Sequence, residues 1–102
     1  MDLDRVEGFD WDDGNRRKND EKHGVSQGEA EQAFFSAPLL VVEDFKHSQN
    51  EARFQALGKT EAGRLLHVTF TTREQGTKIR IISARDMHRK ERIIYEEFET
   101  NP

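Results

Sequence analysis

Six side chains of this 102-residue sequence are of the types that work on a phosphodiester without a metal: Lys22, His23, Glu51, Arg53, Arg80 and Arg85. A guanidinium matches the geometry of a phosphate and stabilises the charge that builds on it during transfer. Imidazole, ammonium and carboxylate groups move protons. RNA carries its own nucleophile, the 2′-OH. A protein that cuts it must accept that proton, stabilise the crowded phosphate and protonate the leaving 5′ oxygen. Each residue also has a plainer reading. Arg53 and Arg80 stand opposite apolar neighbours, where arginine is often ordinary surface. Lys22 and His23 fall at a helix end, where a cation complements the helix dipole. Glu51 is placed to pair with Arg53. On residue types alone, a generic protein-binding module stands ahead of RNA cleavage.

Other chemistries find less support. The four histidines, at 23, 47, 67 and 88, include no pair at i,i+4 and no HExxH, so no metal or cofactor is expected. The seven glycines are isolated, with no phosphate-binding loop and no GxSxG. Cysteine is absent, which excludes disulfides and thiolate chemistry. With 33% hydrophobic and 35% charged residues the core must be small, and one domain over residues 7–98 is expected after a flexible stretch at 1–6. No apolar run reaches the roughly 20 residues that span a bilayer, and the acidic start, MDLDRVEGFDW, lacks the apolar stretch of a secretory signal. A cytoplasmic protein with no membrane contact is expected. The net charge of −4 argues against a nucleic-acid binder, although RRKNDEK and RDMHRKER are locally basic.

The elements that must hold the six residues follow from punctuation and periodicity. Asp12 or Asp13 caps a helix running to about His23, which Gly24 closes. That helix, DGNRRKNDEKH, has almost no apolar face, so it needs a reason to exist other than core formation. Ser26 and Glu29 form a capping-box pattern for a second helix, with Val25 packing on Ala30, and Pro38 ends it. LLVVED, ARFQALGKT, LLHVTFTT and IRIISAR read as four strands. In the last, strict alternation puts Ile79, Ile81 and Ser83 opposite Arg80 and Ile82. A final helix from about Asp86 to Phe98 groups Met87, Ile94, Tyr95 and Phe98 on one face. Helices grouped outside an antiparallel sheet make an α+β domain.

The motifs FDWD, Asn19, KHGVS with Glu29 and Ala30, ARFQALG, and IRIISAR followed by RKERIIYEE resemble, in kind and order, the BrnT family of toxins from type II toxin-antitoxin pairs. The resemblance covers about residues 7–97. One departure is Gln27, where an aromatic residue commonly follows the serine. The resemblance implies a RelE-like fold: two N-terminal helices, a curved antiparallel four-stranded sheet and a C-terminal helix. It implies a ribonuclease that blocks translation, neutralised by a BrnA-like antitoxin through which alone the toxin meets DNA. It further implies that Lys22, His23, Glu51, Arg53 and Arg85, with Arg80 added from the same strand, form the site. Glu51 or Lys22 would accept a proton, His23 would donate one, and the three arginines would hold the phosphate. A non-catalytic co-repressor that only binds the antitoxin is the alternative; a ribosome-associated factor is a third. Docking surfaces for the partner are expected at Leu65 and the exposed side of the last helix.

Overall fold

The computed structural model describes residues 3–101, Arg16 by its backbone alone. After a 3-10 turn at Leu3–Arg5 come β1 (Gly8–Phe9), α1 (Asp13–His23) and α2 (Gln27–Gln32). Then follow β2 (Leu40–Glu43), a second 3-10 turn at Phe45–His47, β3 (Arg53–Lys59), β4 (Leu65–Arg73), β5 (Lys78–Asp86) and α3 (Arg89–Thr100). The sheet order is β1-β5-β4-β3-β2, with β1 parallel to β5 and every other pair antiparallel. The α+β class, both N-terminal helices and the C-terminal helix are present. The sheet differs from the expected four antiparallel strands: it has five and is mixed. Two residues, Gly8 and Phe9, are too few to show alternation, so the fifth strand left no mark in the sequence. Of the stretch expected to be flexible, residues 1 and 2 lie outside the described residues.

One face of the sheet makes the core. Phe54, Ala56, Leu66, Val68, Phe70, Ile79, Ile81 and Ala84 are buried there against Val25, Ala30 and Ala33 from the α2 region. Phe34 meets Phe70 edge to face at 5.0 Å, and Phe54 stacks on Phe70 at 5.3 Å. The capping box of α2 forms as expected: Glu29 N–H donates to Ser26 Oγ, and Ser26 N–H donates to Glu29 Oε1. That helix ends at Gln32, well before Pro38. Its last turn tightens as Phe34 and Phe35 donate to the carbonyls of Glu31 and Gln32, which turns Phe34 onto the core and leaves Phe35 exposed. The turn presses on β3: a Cβ added at Gly58 would stand 2.4 Å from the Ala33 carbonyl oxygen. Gly58→Ala is expected to cost about 1–3 kcal/mol and to lower the melting temperature by several degrees, as read by thermal denaturation.

The second face governs the site. Residues paired across strands share a face, so the register writes its rows directly. One row is Leu40–Leu57–His67–Arg85 and the next is Val42–Gln55–Thr69–Ser83; a third brings Arg53, Thr71 and Arg80 into line. These rows exist because β5 is irregular: Thr69 pairs with Ser83 and Phe70 with Ile81, so Ile82 is an extra residue. Strict alternation would have sent Ser83 and Arg85 to the core. The bulge turns both onto the face that carries Arg80 and buries Ala84 in their place. Met87 precedes α3, and Tyr95 is its one buried residue, its hydroxyl donating to the Pro38 carbonyl at 2.6 Å. Ile94 and Phe98 stay half exposed. Among the described residues, no helix is long and apolar enough to cross a membrane.

Candidate active site

The polar helix α1 has its reason in the edge of β5. Beyond the two residues of β1, that edge would expose unpaired backbone groups. Asn15 Nδ2 donates to the carbonyls of Ile81 at 3.1 Å and Ile82 at 2.8 Å. Asn19 is buried; its Oδ1 accepts from Ala84 N–H at 2.8 Å, and its Nδ2 reaches the Val25 carbonyl. Asparagine thus does here what apolar residues do in an ordinary amphipathic helix. The same docking carries Lys22 and His23 to the edge of the second face. A pocket of about 200 Å³ is lined there by both of them, by Lys18, by Asn15 and Asn19, and by Ile82 and Ser83.

Arg64 fixes this corner to the strand, and sequence reasoning passed over it because it falls in a turn. Its Nε and Nη2 donate to the two Asp86 carboxylate oxygens at 2.7 and 3.0 Å. Its Nη1 donates to the Gly24 carbonyl at 2.9 Å and to Glu29 Oε2 at 3.1 Å. One planar cation therefore ties the αL residue that closes α1, the capping glutamate of α2 and the end of β5. Its hydrogen bonds hold the Asp86 carboxyl below its ordinary range. His23 also lies within electrostatic reach of Asp86.

Arg85 occupies the next row. Its Nη1 and Nη2 donate to Glu91 Oε1 and Oε2 at 2.8 and 3.0 Å, a bidentate pair. Glu91 also accepts from His88 N–H at 2.8 Å, so one carboxylate caps α3 and aims the guanidinium. Burial alone would raise the Glu91 pKa, but these hydrogen bonds bring it down to about 2. His67, 3.8 Å from Glu91, has its pKa lowered by burial first and the Arg85 charge second, and is neutral at pH 7. The Glu91 carboxylate contributes stability present above about pH 4.5 and lost as the pH falls toward 2. Glu91→Gln is expected to flatten that acid limb by about 1–2 kcal/mol, discounted for partial exposure. Urea denaturation at pH 7 and at pH 3 measures it.

Glu51, Arg53 and Arg80 stand at the other end of the face. Four residues of β4, roughly 13 Å, separate the row of Arg85 from that of Arg53 and Arg80. Glu51 is bonded to Arg73 Nη1 at 2.8 Å rather than to Arg53. Arg53 and Glu51 line a shallow recess with Lys46 and His47. Arg80 Nη2 reaches Asp10 at 3.2 Å, and its buried Nε has no partner among the described residues. Thus Lys22 and His23 share a pocket with Ser83, one row from Arg85 on β5, and Glu51 and Arg53 line no part of it. Among the described residues no carboxylate lies within ion-pair distance of Lys22, His23 or Arg53, and no cluster of three His, Asp or Glu could hold a metal ion.

The sequence profile of the ribonuclease toxin BrnT, of type II toxin-antitoxin systems, matches residues 11–91, a span that holds all six candidates as well as Arg64. The chain belongs to the BrnT family. It is therefore a ribonuclease toxin of a type II toxin-antitoxin system. The crystal structure of the Brucella abortus ribonuclease toxin BrnT is similar in fold, with a TM-score of 0.60 and 23% identity, over 80% of this chain and 97% of that one. No curated protein matches this chain.

Proposed function

We propose that this BrnT chain cuts RNA by in-line attack of the substrate's own 2′-OH, without a metal, across the β5 edge of the second face. The observation that carries this reading is the pocket joining Lys22 and His23 to Ser83, one row from Arg85 on the face that the bulge creates. Lys22 lies against the attacking oxygen; from its free-amine form it takes the 2′-OH proton, and the ammonium so formed stabilises the charge that builds on the phosphate. His23 protonates the leaving 5′ oxygen. Arg85 holds the phosphate, pre-aimed by Glu91. Lys22 is favoured over Glu51 as acceptor because it shares a pocket with His23, whereas Glu51 is held by Arg73. Glu51, Arg53 and Arg80 hold the flanking nucleotides, too far along the face for the scissile bond. Cutting messages in the cytoplasm blocks translation. A BrnA-like antitoxin restrains the toxin and supplies the contact with DNA, and residues 7–98 act as one domain.

The test is cleavage of a short RNA by purified protein in EDTA. Product ends should be a 2′,3′-cyclic phosphate and a 5′-OH, and a single 2′-deoxy substitution at the scissile nucleotide should abolish the cut. Activity that disappears in EDTA, or a deoxy substrate cut at the same rate, contradicts the mechanism.

A further inference from the structure

The second face changes character across its width. At β5 it carries Arg85, Ser83 and Arg80, with Lys22 and His23 alongside. At β2 and β3 the same rows present Leu40, Val42 and Leu57. Over them α3 leans Ile94 and Phe98, which makes a groove of about 530 Å³. Val42 is 64% exposed, Phe98 51% and Ile94 48%, so the groove's apolar walls are in water. Of its polar groups, Gln55 bonds to Asp44 and Thr69, Glu91 bonds to Arg85, and His67 lies 3.8 Å from Glu91. Such a groove offers little to the edge of a nucleobase and much to aliphatic side chains.

We infer that this groove seats the antitoxin, through a segment whose apolar side chains are followed by carboxylates, and that the segment silences the toxin by covering its substrate face. The inference rests on the site proposed above. Three strand spacings, roughly 14 Å, separate β2 from β5, about three turns of helix. A helix with apolar residues at i, i+3 and i+7 in the groove places acids a turn later over Lys22, His23 and Arg85, where they replace substrate phosphates. Lys22, His23 and Arg53 have no carboxylate within ion-pair distance among the described residues, so the cationic half complements that charge. A second copy of the chain is the weaker occupant. An isologous dimer through this groove would cover both substrate faces and leave the toxin blocked by itself.

The experiment titrates full-length toxin, by calorimetry, with the purified protein encoded by the adjoining gene of its operon. Val42→Glu and, separately, Val42→Ser and Phe98→Ser should each weaken binding at least tenfold, while RNA cleavage by free toxin stays within about twofold of wild type. Melting curves confirm that each variant is folded; Val42 is exposed on an edge strand, so its serine variant carries the test if another fails to fold. Unchanged affinity in the folded variants overturns the inference. So does a parallel loss of cleavage, which assigns the groove to RNA, or a free toxin dimer that Val42→Ser dissociates. If the wild type cuts no RNA, the nuclease reading fails, and the titration still decides the groove.

Discussion

Replacing Arg85 with alanine should lower kcat/KM for RNA cleavage by about 10²–10³, the usual cost of removing one donor from a developing phosphate or oxyanion charge. The guanidinium is held bidentate by Glu91 at 2.8 and 3.0 Å, so its plane is set before substrate arrives. Arg85→Lys should recover little, because an ammonium cannot hold two parallel bonds to the carboxylate while presenting a further donor to the phosphate. Glu91→Ala should reduce kcat more than it raises KM, since it frees the guanidinium without removing it. Steady-state kinetics on a fluorogenic RNA would read all three. Equal activity in the alanine and wild-type proteins would remove Arg85 from the phosphate.

Arg64→Met should cut cleavage about 10²-fold, although Arg64 is assigned no contact with RNA. The residue joins Gly24, Glu29 and Asp86 in one fork, and its loss frees the corner that carries Lys22 and His23. Misplacing a catalytic group by about 1 Å can cost as much. Several charged hydrogen bonds go together, so stability should fall by about 1.5–3 kcal/mol. The two effects separate in a double-mutant cycle. If Arg64 works through His23, adding Arg64→Met to His23→Ala should cost little further activity, while the stability losses still add. Fully additive activity losses would make Arg64 an independent contributor.

Much of this architecture is legible in the sequence, and the parts that are not have definite physical causes. Caps are local: Asp12, Gly24, Ser26 and Glu29 announce their helix ends, and each is found in its cap. Alternation in β3 and β4 needs no partner to be read, and Phe54, Ala56, Leu66, Val68 and Phe70 are buried as it requires. The bulge at Ile82 is invisible by the same logic, because it is a property of pairing between β4 and β5 rather than of either strand. Missing it puts Ser83 on the wrong face. The role of α1 is hidden for a similar reason. Asn15 and Asn19 look like solvated helix residues until the edge of β5 is beside them. Arg64 and the Arg85–Glu91 pair join residues far apart in sequence or on different elements. Family resemblance points to Lys22, His23 and Arg85 together, but it does not tell that Glu51 would be held by Arg73.

The central claim is that the α1 corner and the bulged strand grip one phosphate. It is tested most directly by following the His23 imidazole and the Arg85 guanidinium by NMR as a 2′-deoxy-blocked oligonucleotide is added to the intact protein. Both resonances should shift with a single dissociation constant, and His23→Ala should weaken the shift at Arg85. Perturbation of Arg85 with His23 untouched, or two unrelated binding curves, would contradict a shared site.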